Sequence, residues 1–176
     1  FLAQAFVSGA SAALISDARK IEGLGAALAV PDVLEGLRKL EYRGYDSAGF
    51  ALMVDGGRSF AVNRAVGQVQ NLVDASKGMG EVERQGIAHT RWATHGKPST
   101  IDAHPHVSSD RVAVVHNGII ENHEALRAEL AAKGYQFSSE TDTEVIAHLV
   151  DHLYDGDLYA AVKAATLRLT GAYAIA

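Results

Sequence analysis

Residues 111–116, with the sequence RVAVVH, decide the fold class that this chain of 176 residues predicts. The four central residues, 112–115, are all apolar, so a strand formed here would bury both of its faces. Such a strand belongs to a sheet that is covered by a layer on each side. Asn117 and Gly118 follow within two residues, a dipeptide typical of turns, at a strand end where functional sites are often built.

Further strands are predicted on either side of this stretch. Apolar runs at residues 50–54 and 60–63 are separated by the sequence DGG at 55–57, which is typical of a β-hairpin turn. Residues 86–89 predict another strand. The last residues, 172–176, begin a further one, so the domain is expected to continue beyond this sequence.

The helices are predicted from apolar residues at helical spacing. One is expected to end before the glycine at position 44, and another is expected to be capped by either Thr141 or Asp142. The four predicted helices cover residues 31–43, 121–133, 143–154 and 158–169.

The composition indicates a folded domain that binds small molecules. Hydrophobic residues make up 48% and charged residues 21%, close to the average of globular proteins. The formal net charge is −5 and Lys and Arg are not clustered, which argues against nucleic acid or an anionic membrane as a partner. We find neither an apolar run long enough to span a membrane nor a basic segment ahead of one at the N-terminus. A cytoplasmic location is therefore expected.

The sequence contains no cysteine. This excludes disulfides, thiolate zinc sites and cysteine catalysis by these residues. Histidines at positions 89, 95, 104 and 106 could suggest a metal site, but neither a carboxylate nor a further histidine has the helical spacing of metal ligands. We expect no metal ion and no cofactor.

Arg91 and Asp142 are candidates for binding a free amino acid. A guanidinium binds a carboxylate and a carboxylate binds an ammonium group, so a fixed pair of this kind recognises a zwitterion. The alternative is that Arg91 makes a structural salt bridge, or that Asp142 caps a helix. Trp92, the only tryptophan, is either the wall of a pocket or part of the core.

Asn117 and Gly118 are candidates for binding an oxyanion. A side-chain amide and a backbone N–H on one side of a small cavity form the donor pair that stabilises a tetrahedral intermediate of acyl transfer. The alternative is a simple Asn-Gly turn without a ligand.

Five segments together carry a resemblance to a known family, and they occur in the family's order: residues 34–49, 86–96, 103–106, 114–123 and 139–150. They resemble the N-terminal class II glutaminase domain of the glutamine–fructose-6-phosphate aminotransferase family. The resemblance implies an α+β fold with four αββα layers, that of the N-terminal-nucleophile hydrolases, truncated at its C-terminus.

The resemblance divides the chain in two and implies residue roles. Residues 31–176 correspond to a partial class II glutamine amidotransferase domain, whereas residues 1–30 are an atypical N-terminal segment. We expect this segment either to be poorly packed or to replace the family's first strand with irregular or helical structure. In the domain, Arg91 is implied to bind the α-carboxylate of glutamine and Asp142 its ammonium group.

The remaining implied roles concern the loop after residue 91 and the reaction centre. Thr94 and His95 would shape the substrate-binding loop, and Trp92 would gate the passage of ammonia. Asn117 and Gly118 would form the oxyanion hole. Arg43 would organise the surroundings of the nucleophile.

The nucleophile itself is the main departure from the family. In the family it is an N-terminal cysteine whose α-amino group serves as the base, and this sequence has none. Serines at positions 8, 11 and 16 could replace it only after trimming of the chain, and none is followed by the expected strand.

The resemblance implies hydrolysis of glutamine to glutamate and ammonia for glucosamine 6-phosphate synthesis. The implied partners are glutamine and a sugar-phosphate isomerase domain in the full-length protein, which would form a homodimer through that domain. Without the cysteine, the chain itself is expected to be inactive. The alternative is a non-catalytic domain that binds glutamine or has a structural role.

Overall fold

The computed structural model describes residues 2–3 and 12–15 as backbone alone, and residues 30–55, 57–79, 85–92 and 98–176 in full. The strands are β1 Leu2–Ala3, β2 Ala12–Ile15, β3 Ser47–Val54, β4 Ser59–Val66, β5 Gly86–Arg91, β6 His106–Ser108, β7 Val112–Val114, β8 His116–Ile120 and β9 Gly171–Ile175. The helices are α1 Val30–Leu40, α2 Val69–Ala75, α3 His123–Ala132, α4 Asp142–Leu153 and α5 Leu158–Thr166, and a 3-10 turn spans Glu41–Arg43.

The strands form one five-stranded sheet and two short ladders. The order in the large sheet is β1-β2-β5-β3-β4, and every neighbouring pair is antiparallel. The ladders pair β6 with β7 and β8 with β9, also antiparallel. Val115 links the ladders, because its N–H and C=O both bond to Ala176, next to β9.

Helices α1 and α2 cover the outer face of the large sheet. Helix α1 begins with Pro31 in its first turn, where a missing N–H costs nothing, and Leu37 of its apolar stripe is 1% exposed. The stripe packs with Leu72 of α2 against Phe50, Leu52 and Ala88 of the sheet.

A second, smaller core lies between the large sheet and the ladders. It joins Ala51 and Ile87 of the large sheet to Val115, with Phe60 and Ala113 packed against them. The opposite side of the ladders packs against α3, α4 and α5, with Val112, Val114 and Ile120 among the buried residues of that third core. The resulting order is helices, sheet, ladders and helices, which confirms the predicted α+β fold with four αββα layers.

The prediction of one strand at residues 111–116 is wrong in detail. Its apolar residues do face cores on both sides, but the chain changes partners within the stretch: β7 pairs with β6, and β8 pairs with β9. At this change of partners, the backbone N–H and C=O of Val115 form their hydrogen bonds with Ala176. Helix α2 and strand β6 were not predicted, since each is too short to show a clear periodicity.

The other predicted elements are confirmed with shifts of a few residues at their ends. Of the two possible caps of α4, the structure selects Thr141, whose hydroxyl accepts the N–H of Glu144. One alternative expected for residues 1–30 was irregular or helical structure in place of the first strand, yet Ala12–Ile15 form a strand that pairs with β5 and occupies its otherwise unpaired edge. Residues 16–29 and most residues before 12 lie outside the described part of the chain.

None of the helices in the described parts of the chain is long and apolar enough to cross a membrane.

Candidate functional site

The loop between α1 and β3 packs against the end of β5. A side chain at Gly44 would place its Cβ only 2.8 Å from the carbonyl carbon of Arg91, so this close approach requires glycine. The N–H of Asp46 donates to the carbonyl oxygen of Arg91 over 3.2 Å. The ring of Tyr45 meets Trp92 edge to face, with 5.7 Å between centroids. These contacts fix the last residue of β5 and the residue after it.

Arg91 is a buried cation at the end of β5. It is only 4% exposed, and its burial lowers the pKa of the guanidinium. The negative charges of Asp102, Asp46 and Asp142 raise this pKa and so partly offset the effect of burial. An arginine side chain is so strong a base that the group stays charged at neutral pH. The site therefore holds one shielded positive charge within electrostatic reach of three carboxylates.

Asp102 belongs to the loop that precedes β6, and it is buried. Its carboxylate accepts the backbone N–H of Glu140 over 3.1 Å and the hydroxyl of Ser99 over 2.8 Å. These bonds hold the loop against the chain that leads into α4. The negative charge near Arg91 is thereby fixed in place.

Asp142 is the first residue of α4 and is 3% exposed. Its Oδ2 accepts the backbone N–H of Ile120 over 2.9 Å, and its Oδ1 lies 3.7 Å from Nδ1 of His116. A carboxylate at this position also interacts favourably with the positive end of the helix dipole. The start of α4 is thus tied to the end of β8, two residues beyond Gly118.

Gly118 has a backbone conformation that other residues avoid. Its φ is +123°, and an added Cβ would overlap the carbonyl oxygen of Ala172 on β9. The preceding Asn117 is partly buried, and its Oδ1 lies 3.2 Å from Nε2 of His89 on β5. The dipeptide is therefore part of the β8–β9 ladder, which excludes the alternative of a simple turn.

Three buried histidines connect the two sheets beneath this dipeptide. His89 packs against His104 with 4.5 Å between ring centroids, and Nε2 of His104 lies 3.0 Å from the hydroxyl of Thr143. The same hydroxyl lies 2.9 Å from Nδ1 of His116. Burial lowers the pKa of His89 to about 4 and that of His104 well below its usual value. Both rings are therefore neutral at neutral pH.

A second polar group holds the N-terminal turn of α4. The hydroxyl of Thr141 lies 3.0 Å from Nε2 of His106, whose pKa is lowered to about 3 mainly by burial. The carboxylate of Glu144 reaches back to accept the N–H of Ser138 and of Ser139. The Thr141 hydroxyl accepts the N–H of Glu144 as in a capping box, but the Glu144 carboxylate binds Ser138 and Ser139, and the N–H of Thr141 donates to the hydroxyl of Ser139. These bonds fix the conformation of the first turn of α4, where Asp142 lies.

The predicted site residues are brought together only in part. Arg91 and Asp142 are electrostatically coupled, and Asp142 is bonded to the strand of Asn117 and Gly118. Trp92 is 60% exposed, which excludes the alternative that it is part of the core.

Arg43 is partly buried at the end of the 3-10 turn. Thr94 and His95 lie outside the described residues.

The sequence did not predict a role in the site for the buried polar residues His89, His104, His116 and Thr143. Two of these histidines, His89 and His104, were weighed only as metal ligands. In the described part of the chain, no three His, Asp or Glu side chains are arranged to hold a metal ion. The available signal was the position of each histidine at or near the end of a strand, but their contacts depend on long-range packing.

The arrangement suits a small ligand with two charges and one polar end. It combines a buried guanidinium, a buried carboxylate and a strand that presents an amide side chain beside a glycine.

Comparison with known proteins gives the family. The sequence profile described as "Glutamine amidotransferase domain" matches residues 89–176, half of the chain. The chain belongs to this family.

Curated relatives agree over a longer stretch. The glutamine–fructose-6-phosphate aminotransferase (isomerizing) of Bordetella pertussis is 57% identical over 152 residues, which cover 83% of this chain and 24% of the relative. The enzyme of the same name from Idiomarina loihiensis is 58% identical over 143 residues, covering 80% of this chain and 23% of the relative. The chain thus spans about a quarter of the length of these relatives.

Solved structures agree on the fold of this glutamine amidotransferase domain. The glutamine phosphoribosylpyrophosphate amidotransferase of B. subtilis superimposes with a TM-score of 0.70 at 26% identity, over 85% of this chain and 33% of the other. A structure described as the allosteric regulatory enzyme of purine biosynthesis gives a TM-score of 0.69 at 28% identity, over 82% of this chain and 32% of the other. The fold of N-terminal-nucleophile hydrolases, predicted from the sequence, is confirmed.

Proposed function

We propose that Arg91 and Asp142 bind the two charged groups of L-glutamine. Arg91 binds the α-carboxylate, and Asp142 binds the α-ammonium group. Both side chains are shielded from water, where a charge pair is stronger than at the surface. The electrostatic effect of Asp142 on Arg91 supports their proximity.

The observation that carries the proposal is the hydrogen bond from the N–H of Ile120 to Asp142. It joins the anion to the strand of Asn117 and Gly118, so one bound glutamine can reach both. With its charged end between Arg91 and Asp142, its side chain would extend toward that dipeptide. The bond also holds the carboxylate in place before a ligand arrives, which lowers the entropic cost of binding.

Asn117 and Gly118 are proposed to act on the side-chain carbonyl of glutamine. The amide of Asn117 and the backbone N–H of Gly118 would donate to the oxygen as it becomes an oxyanion. Both residues belong to a paired strand, so the donors are held in position and need not reorganise during the reaction. Removing one such donor typically costs about 2.7–4 kcal/mol of transition-state stabilisation.

The surrounding residues complete the proposed site. Trp92 stands exposed next to Arg91, a position suited to controlling the passage of ammonia. Thr94 and His95 are proposed to shape the loop that follows, and Arg43 to organise the surroundings of the nucleophile. The sequence contains no cysteine, so this chain does not itself supply the thiol that the proposed reaction uses.

The proposed reaction is hydrolysis of glutamine to glutamate and ammonia, without a metal ion or cofactor. In the full-length protein the ammonia would go to fructose 6-phosphate, as the names of the relatives indicate. A sugar-phosphate isomerase domain would accept it, and that domain would form the homodimer. The proposed location is the cytoplasm.

Titration calorimetry with L-glutamate and L-glutamine tests the proposal. Arg91→Ala and Asp142→Asn should each weaken binding by about 2–5 kcal/mol, because a substrate charge loses its partner. Asp142→Asn keeps an oxygen that can accept the N–H of Ile120, so it removes the charge with little change in structure.

Arg38→Ala is the matched control, since Arg38 is an arginine on the surface that bonds to Gln70. It should leave the affinity unchanged. Variants of Arg91 and Asp142 that bind as tightly as the parent chain would show that the zwitterion site is assigned wrongly.

A further inference from the structure

His89 stands where the large sheet meets the strand of the proposed oxyanion hole. It lies on β5, is 2% exposed, and points its Nε2 at Oδ1 of Asn117 over 3.2 Å. This is a hydrogen bond between the side chains of two strands in different layers. The orientation of the Asn117 amide therefore depends on a residue outside its own ladder.

The surroundings of His89 decide which ring nitrogen carries the proton. Its Nδ1 is buried and has no hydrogen-bond partner in the described part of the chain. A buried N–H donor without a partner is rarer in proteins than an unsatisfied acceptor, so the proton belongs on Nε2. The ring is also neutral, because burial lowers its pKa to about 4, aided by His116 and Arg91. In this form the Nε2–H can only donate, and Asn117 must present its oxygen.

We propose that His89 is a positioning residue, which donates from Nε2–H to Oδ1 of Asn117 and so directs the NH₂ group of Asn117 toward the side-chain oxygen of the substrate. A planar amide whose oxygen is held on one side presents its nitrogen on the other. A reversed amide would turn a lone pair toward the developing oxyanion and repel it. The inference rests on the proposed function and adds to it the group that sets the direction of the donor.

The contacts of His104 make this arrangement rigid. Its ring packs against His89 at 4.5 Å with an interplanar angle of 35°, and its Nε2 is held 3.0 Å from the hydroxyl of Thr143. This contact, together with the burial of the ring, restricts rotation of the His89 ring about χ2. Since Thr143 directly follows Asp142 on α4, the ammonium-binding carboxylate and the amide of Asn117 are fixed to one polar core.

Two substitutions distinguish the effect of losing the hydrogen-bond donor from the effect of losing the ring itself. The amide nitrogen of a glutamine reaches about as far from the backbone as Nε2 of histidine, so His89→Gln keeps a donor in place. His89→Asn is one carbon shorter and cannot reach. Both remove the imidazole, so any effect of losing the ring itself is common to the two variants.

Two ligands separate the proposed role from a general loss of structure. L-glutamate has the side-chain oxygens that Asn117 would bind, and L-norvaline has the same α-groups with an apolar side chain. His89→Asn should weaken the binding of L-glutamate by about tenfold, which corresponds to the loss of one hydrogen bond, and leave the affinity for L-norvaline unchanged. His89→Gln should stay within about threefold of the parent chain for both. In an Asn117→Ala background, His89→Asn should have no further effect.

Equal losses for both ligands, or a loss that persists without the Asn117 amide, would overturn the inference. The 15N spectrum of the imidazole at neutral pH provides an independent readout that needs no ligand. It should show His89 as the Nε2–H tautomer, and an Nδ1–H tautomer or an imidazolium would overturn the inference. If neither ligand binds the parent chain, the proposed function fails, while the spectrum still decides the state of His89.

Discussion

The carboxylate of Asp142 accepts the backbone N–H of Ile120 over 2.9 Å, which joins the start of α4 to the end of β8. Ile120 is fully buried, so its N–H has no access to water as an alternative partner. One bond thus links the candidate binding carboxylate to the strand of the candidate oxyanion hole.

Asp142→Ala should therefore destabilise the chain, because it leaves this N–H without an acceptor. We expect a loss of about 1–3 kcal/mol in the free energy of unfolding, measured by urea denaturation. Asp142→Asn retains an acceptor and should cost less. Equal losses in the two variants would mean that the hydrogen bond does not contribute as described.

Gly118→Ala should disrupt the β8–β9 ladder. The substitution combines strain at a φ of +123° with an overlap against Ala172, and should cost more than the roughly 1–3 kcal/mol of strain alone. Gly156→Ala is the matched control, since Gly156 has a similar φ of +117° but open space around it. Hydrogen exchange at residues of β8 should accelerate only in the Gly118 variant, and equal protection in both would contradict the steric argument.

The stability of the chain should fall as the pH is lowered from about 6.5 to about 4. Burial lowers the pKa of His89 to about 4 and that of His106 to about 3, from 6.5 in both cases. In this pH window the histidines are protonated in the unfolded chain and neutral in the folded chain. Their contribution to the stability of the folded state is therefore complete above the window and is lost as the pH falls.

Each of these histidines should contribute a slope on the order of 1 kcal/mol per pH unit, measured as the unfolding free energy at several pH values. His89→Gln should reduce the slope by the contribution of one histidine, because the unfolded chain then binds about one proton fewer. A stability that does not change between pH 6.5 and 4 would contradict the burial of neutral histidines.

The chain of 176 residues should release no ammonia from glutamine above the uncatalysed background. Without the covalent nucleophile, the chain lacks the step that the oxyanion hole only assists. A coupled assay for ammonia checks this. Release that disappears in Asn117→Ala would contradict the prediction and would indicate a substitute nucleophile in the chain.

Local sequence patterns predicted a sheet covered on both sides and its helices, and the family resemblance implied the order of the four layers. Apolar residues on both faces of residues 112–115 required two covering layers, and the spacing of Leu37 and its neighbours gave α1. The sequence did not predict that Val115 switches partners, because pairing with Ala176 depends on a strand some 60 residues away in sequence. Sequence periodicity contains no information about which edge a strand will meet.

The site was predicted less completely than the fold. Charge type and position singled out Arg91 and Asp142, and the family resemblance assigned their roles. The contacts of His89 with Asn117 and of Thr143 with His104 could not be inferred, because the sequence does not show which long-range partner a buried histidine or threonine will meet. Only the packing of β5 against β8 gives His89 its partner.

The central claim is that Arg91 and Asp142 each bind one charge of glutamine, and a set of three related ligands tests it most directly. L-glutamate carries both α-groups, glutarate lacks the ammonium group, and 4-aminobutyrate lacks the α-carboxylate. Their affinities can be measured by chemical-shift titration for the parent chain, Arg91→Ala and Asp142→Asn.

We predict that Asp142→Asn weakens L-glutamate by about 2–5 kcal/mol and leaves glutarate unchanged, while Arg91→Ala weakens L-glutamate by a similar amount and leaves 4-aminobutyrate unchanged. Losses of equal size for all three ligands in both variants, or no difference between L-glutamate and the other two in the parent chain, would contradict the claim.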